Sequence, residues 1–235
     1  MSQKNAALNT FCQRAQKLCP WSWYAEAIDH VEQEMAQDGG HDWSHLTRVL
    51  QSAHTLTEAT DQPVDWQVVA CAVLFHDVVN LPKDHPERHL ASTMAAQHAV
   101  DYAQAHWSMT DQQLALLEEA IRCHSFSSGF RATSIEAQLV SDADRLDALG
   151  AFGIARTFAV GGMLDRPLAH PSDPLAKDRA PNDKVWSVDH FFVKLFKLPD
   201  LMYTDAGRAE GLRRVAFMKT FLNVLESELL GTPTL

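Results

Sequence analysis

Apolar positions recur at spacings of three and four over most of this chain, the period of helices that bury one face. Residues 5–37 read as one or two amphipathic helices broken near Pro20, with Trp21, Trp23, Tyr24, Ile28, Val31 and Met35 on the apolar side. Gly39 and Gly40 end that segment, as glycines just past a helix commonly do. Asp42 or Ser44 then offers a capping oxygen to a second run carrying Leu46, Val49, Leu50, Ala53 and Leu56. Pro63 opens the next helix, whose body from Val64 to Val79 is almost continuously apolar. Pro82 and Pro86 make residues 81–86 a loop. An Ala-rich helix is predicted over 87–106, and Thr110 caps another from Asp111 to about His124.

Residues 125–134 read as loop and 135–150 as helix, with helical character continuing through 151–160 to Gly161 and Gly162. The texture then changes. Between 165 and 184, Pro167, Pro171, Pro174 and Pro181 alternate with charged Asp, Lys and Arg, which predicts a long irregular loop of the kind that often carries function. Helices around 188–198 and 205–230 complete the pattern. No stretch alternates Val and Ile as a strand would, and no segment repeats. The fold class is all-α.

Within the apolar run before residue 80, His76 and Asp77 stand side by side. Burying an imidazole and a carboxylate is costly unless each finds a partner. A divalent metal ion serves both at once. The alternative for the dipeptide alone is a buried ion pair. His45, one turn from His41, and the run Ser141-Asp142-Ala143-Asp144-Arg145-Leu146-Asp147 place further ligand-type residues on the preceding and a following helix.

This order of motifs resembles the HD-domain metal-dependent phosphohydrolases, and within them the bacterial YedJ-like group. The resemblance is carried by His41-Asp42-Trp43-Ser44-His45, by Phe75-His76-Asp77 with Asn80-Leu81-Pro82-Lys83, and by His124-Ser125-Phe126-Ser127. Asp142 to Asp147, Asp189-His190-Phe191 and the stretch from Lys194 to Pro199 extend it over about residues 40–215. It implies an all-α HD-domain helical bundle over 39–235 with a C-terminal elaboration, one compact unit, preceded by a helical extension over 1–38.

The resemblance further implies His45, His76, Asp77 and Asp144 as ligands of one divalent ion. Imidazole and carboxylate donors suit Mn, Mg, Fe, Co, Ni or Zn, and the sequence does not choose among them. On a helical wheel, Asp142 falls with Ile135, Leu139, Leu146 and Leu149 on the main apolar face, whereas Asp144 falls opposite, with Val140, Ala148 and Ala151. The wheel favours Asp142 as the buried carboxylate; the resemblance favours Asp144, with Asp142 and His41 supporting the ligands by hydrogen bonds.

Other candidates are more open. Asp77 is a candidate proton acceptor as well as a ligand. His124 closes a helix, where an imidazolium would answer the helix dipole; as a functional group it is a proton donor, a phosphate contact or a ligand to a second metal. Asn80, one turn after His76, and the cations Lys83, Arg145, Lys184 and Lys194 could hold a phosphorylated substrate, or be solvated surface. His190, Lys194 and Lys197 follow at i, i+4 and i+7, one face of a continuous helix. His89 or His98 with His124 would be needed for the alternative of a di-iron oxygenase, and a third reading is a non-catalytic protein that binds a nucleotide or other metabolite. The remaining histidines read as structural or surface.

Composition limits the partners. The net charge is −10 and no Lys/Arg stripe interrupts it, which excludes broad nucleic-acid binding. The expected partner is a small phosphorylated substrate, with a homodimer left open. Four cysteines without a CxxC pair form no disulfide framework, and no signal peptide or membrane-spanning stretch is apparent, so the expected compartment is the cytoplasm.

Overall fold

In the computed structural model, residues 3–35, 42–81, 85–125 and 129–231 are described. Among them the regular structure is entirely helical: α1 Gln3–Leu18, α2 Ser22–Glu34, α3 Trp43–Glu58, α4 Trp66–Phe75, α5 Ala91–His106, α6 Asp111–His124, α7 Ile135–Asp147, α8 Gly150–Met163, α9 Asp189–Val193 and α10 Asp205–Leu230. Short 3₁₀ segments occupy Arg88–Leu90 and Leu195–Leu201. The chain forms two compact units, Met1–Asp144 and Arg145–Leu235.

The first unit is built around α4. Every residue from Val68 to Phe75 is fully buried, because α2, α3, α5 and α6 all pack against this one helix. A helix that is apolar all round is stable only inside such a shell. Each fully buried Val, Leu or Phe side chain contributes about 1.5–3 kcal/mol relative to exposure. Two polar ties fix the shell: the Tyr24 hydroxyl donates to Ala70 O at 2.9 Å, and Trp66 Nε1 donates to Leu18 O at 2.8 Å.

The ends of α4 differ from the sequence expectation. Asp65, not Pro63, sets the start, its carboxylate accepting from Gln67 N and Val68 N at 3.1 and 3.3 Å. At the other end the helix stops at Phe75 rather than Val79. Val78 N closes back on Phe75 O at 3.0 Å, a tight last turn that brings His76 and Asp77 to the mouth of the core. The α5 helix likewise begins at Ala91, four residues later than its Ala-rich pattern suggests, because Arg88–Leu90 winds as 3₁₀. Thr110 and Gln113 cap α6 reciprocally, as their spacing predicts.

In the second unit α10 packs against α8 and the Leu195–Leu201 segment. The α7 and α8 helices are separate, because the chain turns at Gly150, whose φ of +76° is one that L side chains rarely adopt. The proline-rich loop is pinned rather than loose. Arg179 donates both guanidinium arms to the fully buried Asp189 carboxylate, and Ser187 N and Val188 N donate to Pro167 O and Leu168 O at 3.0 and 2.9 Å. The expected single helical face of His190, Lys194 and Lys197 is not formed. The α9 helix ends at Val193, and Lys194 leaves helical geometry at φ −126°, ψ −58°.

Two stability measurements follow. Asp65→Ala removes the α4 cap and the contact of Asp65 with Gln113 Nε2 at 2.8 Å; urea unfolding should show a loss of about 1–2 kcal/mol. Arg213 and Arg214 hold Glu210 down to about 2 from its ordinary 4.5. A depressed carboxyl stabilises fully above its unfolded value, and that contribution is lost as pH falls toward the folded one. The stability gap between wild type and Glu210→Gln should therefore shrink between pH 4.5 and about 2.

Candidate metal centre

Four side chains from three helices of the first unit converge at the end of α4. His45 is placed by the start of α3: Asp42 caps that helix by accepting from His45 N at 2.8 Å, so an imidazole in the first turn points at the mouth of the core. His76 follows the last residue of α4, and its Nδ1 lies 2.9 Å from Val73 O. A carbonyl can only accept, so the proton sits on Nδ1 and Nε2 presents a lone pair. Asp77 follows directly, and Asp144 comes from the end of α7.

The atoms are close. His45 Nε2 lies 3.1 Å from His76 Nε2, 3.4 Å from Asp77 Oδ2 and 3.5 Å from Asp144 Oδ1. His76 Nε2 lies 3.2 Å from Asp77 Oδ2 and 3.9 Å from Asp144 Oδ1. His124 stands on the other side of Asp77, its Nε2 3.8 Å from Asp77 Oδ1 and its ring centre 4.8 Å from that of His76. Its Nδ1 lies 2.6 Å from Ile121 O, so this imidazole too turns a bare Nε2 toward the cluster. Ser141 on α7 donates to Cys123 O at 3.3 Å and so ties the end of α6 to the helix that carries Asp144.

The electrostatics are those of a site that needs positive charge. Burial pushes the His76 imidazole down, but Asp77 and then Asp144 beside it outweigh that and hold it above its ordinary value. Burial likewise pushes Asp77 up, yet His76 and His45 hold it well below the usual carboxylate range. His124 goes the other way: burial and the neighbouring His76 keep it below the ordinary imidazole value, against the opposing pull of Asp77 and Asp144.

Two overlapping groups, His45 with His76 and Asp144, and His76 with Asp77 and His124, have donor atoms within 4.8 Å of one another and could hold a metal ion. The donor set fits one. The protons that couple these imidazoles to the carboxylates would give way to a divalent cation, and N/O donors suit divalent first-row metals. The side chains of His45 and His76 are 2% and 0% exposed, Asp77 15% and Asp144 29%, so the cluster is closed on the imidazole side and reaches solvent on the carboxylate side.

The other sequence candidates are placed as follows. Asp142 is fully buried, as the helical wheel requires, whereas the half-buried Asp144 is the carboxylate found within 3.5 Å of His45. Asn80 is half-buried in the turn after α4. Arg145 is engaged by the Leu201 carbonyl and the ring of Tyr203, 5.0 Å from its guanidinium carbon. Lys184 and Lys194 are exposed residues of the second unit. His41 and Lys83 lie outside the described residues. The sequence reading left the orienting carbonyls of Val73 and Ile121 unseen, since only the three-dimensional turn of each helix end brings them to a ring nitrogen.

Residues 42–149, which contain the whole cluster, match the model of the HD domain family. The chain belongs to the HD-domain superfamily. It is 32% identical to an HD-superfamily hydrolase from Bacillus thuringiensis whose crystal structure superposes with a TM-score of 0.65, covering 87% of this chain and 95% of that one. The crystal structure of Bacillus subtilis YpgQ in complex with ADP superposes with a TM-score of 0.64 at 27% identity, over 93% of this chain and 96% of that one. In sequence, the uncharacterized protein YpgQ of Bacillus subtilis is 29% identical over 195 residues, 83% of this chain and 87% of that protein.

The charge balance at His76 is directly measurable. In chelator-treated protein followed by NMR, His76 should titrate above 6.5, and in Asp77→Asn below it, because burial is then opposed by one carboxylate fewer. A His76 titration unmoved by that substitution would contradict the coupling.

Proposed function

We propose that this protein is a metal-dependent phosphohydrolase acting on a small phosphorylated metabolite, a nucleotide being the first to test. The observation that carries the reading is the convergence of His45, His76, Asp77 and Asp144, with distances of 3.1–3.9 Å from the imidazole nitrogens to one another and to the carboxylates. These four residues would hold the ion. When bound, a divalent ion supplies Lewis acidity, lowering the pKa of a water and offsetting charge that develops on a phosphoryl group. The crystal structure of YpgQ with ADP supports a nucleoside phosphate as the class of ligand.

The chain's own residues supply the rest. The solvent-reaching side of the cluster, formed by Asp77 and Asp144, is where a phosphate would approach. His124 is kept in its neutral form, so its Nε2 can accept a proton near neutral pH and return it to a leaving oxygen. Asp77 Oδ1 lies 3.8 Å from His124 Nε2, so the carboxylate charge would stabilise the proton His124 takes up. Asp142 and His41 are the residues to test for support of the ligands, and Asn80, Lys83, Arg145, Lys184 and Lys194 those to test for substrate contact.

The oxygenase reading has weaker support. His89 is exposed, and His98 points its Nε2 at His30, 2.8 Å away. A non-catalytic nucleotide-binding role is the remaining rival, against which stands an intact set of two imidazoles and two carboxylates. A cytoplasmic location, a homodimer and the reading of residues 1–38 as a helical extension of the HD domain belong to the same proposal. No helix of the described residues is long and apolar enough to cross a membrane.

The test is metal content with turnover. Protein purified without chelator should carry at least one divalent ion per chain and release phosphate from some members of a nucleotide and sugar-phosphate panel. Asp77→Ala should lose one divalent ion per chain and the phosphate release. In His124→Gln the metal should stay and turnover fall by about 10²–10⁴. A folded Asp77→Ala with unchanged metal content and turnover would overturn the assignment.

A further inference from the structure

The relation between the two imidazoles of the metal centre occurs a second time in the first unit, away from the cluster. His30 on α2 and His98 on α5 bring their Nε2 atoms to 2.8 Å, with ring centres 5.0 Å apart; for His45 and His76 the corresponding values are 3.1 and 5.3 Å. In both pairs the edge nitrogens, not the ring faces, meet. Both His30 and His98 are half-buried, so the meeting point is open to solvent on one side.

The surroundings hold the pair in place. The His30 ring stacks on Tyr102 at 4.2 Å, Tyr102 stacks on His106 at 4.4 Å, and Phe75 at the end of α4 lies 6.1 Å from His30 and 6.2 Å from His98. Rings fixed on three sides lose little freedom on binding a ligand. Burial and the adjacent His98 keep His30 below its ordinary pKa, against the opposing charge of Glu34 one turn along α2. At 2.8 Å one Nε2 donates its proton to the other, so an ion that binds both nitrogens displaces that proton to Nδ1 of its ring or to water; a pair that resists a second proton is left neutral for this exchange at neutral pH.

We propose that His30 and His98 form a second metal site, made of imidazole alone, that takes a borderline divalent ion such as Zn²⁺, Ni²⁺ or Cu²⁺ and clamps α2 to α5. Two nitrogens about 2.0–2.1 Å from one tetrahedral zinc stand about 3.3–3.4 Å apart, so the pair needs to open by about half an ångström. Side-chain torsions supply that. Among the described residues no third His, Cys, Asp or Glu completes a close group with the pair, so water fills the other positions. The absence of a carboxylate sets the selectivity. Mg²⁺ and Mn²⁺ prefer oxygen donors and have little to hold here, in contrast to the centre at His45.

The experiment is calorimetric titration of chelator-treated protein with Zn²⁺ and, separately, Mn²⁺, on wild type, His30→Gln, His98→Gln and Asp77→Ala. His30→Gln and His98→Gln should each lose about one Zn²⁺ equivalent relative to wild type and keep the Mn²⁺ isotherm and phosphate release unchanged. Asp77→Ala should retain the equivalent that those variants lose, and Zn²⁺ should raise its melting temperature, an effect absent from Asp77→Ala/His98→Gln. Zn²⁺ isotherms of both His variants that match wild type would overturn the site. The main centre is read independently, from the Mn²⁺ isotherm of Asp77→Ala, so failure of one assignment is distinguishable from failure of the other.

Discussion

A cluster of imidazoles and carboxylates held at the end of one buried helix is the constraint on which the first unit turns. The α4 helix is buried along eight consecutive residues and terminates in His76 and Asp77, whose neighbours across the gap are another imidazole and another carboxylate. Protons on the imidazoles hold the carboxylates in their charged form, as the shifts of His76 and Asp77 require. Apolar packing of α2, α3, α5 and α6 around α4 supplies the rigidity that keeps these groups together, and a divalent cation would replace the imidazole protons as their counter-charge. The scaffold and the site are therefore one design: the same burial that stabilises the helix raises the cost of leaving its polar end without a counter-charge.

Orientation is achieved with backbone rather than with additional side chains. Carbonyls of Val73 and Ile121, each three residues before the histidine it contacts, fix the tautomers of His76 and His124. Those carbonyls belong to helix C-termini, where acceptors lack intrahelical donors, so two structural needs are met by one contact. Asp42 does the converse at a helix N-terminus, accepting from the backbone of His45 and setting where α3 begins.

Much of this was legible in the sequence, and the reasons for the rest are physical. The helices and the fold class follow from apolar spacing, and His76-Asp77 is conspicuous because polar residues seldom end so apolar a run. Helix ends were less legible. Asp65 displaces Pro63 as the start of α4 because a side-chain acceptor captures two backbone donors, an advantage the fixed φ of proline does not give. The face of α7 was ambiguous for a different reason. Leu139 to Ala143 are all fully buried, so this helix has no dry and wet side for a wheel to separate, and Asp142 and Asp144 can both be accommodated. The His30–His98 pair leaves no local trace, since its members lie 68 positions apart on helices whose other residues give no reason to join them.

The central claim, that the four side chains around the end of α4 converge to hold a cation, is tested most directly by anomalous scattering from crystals of the protein grown with Mn²⁺. The account predicts a peak bonded to His45 Nε2, His76 Nε2 and carboxylate oxygens of Asp77 and Asp144. Crystals in which those four side chains remain in contact with one another while the manganese lies elsewhere, or is absent, would contradict it.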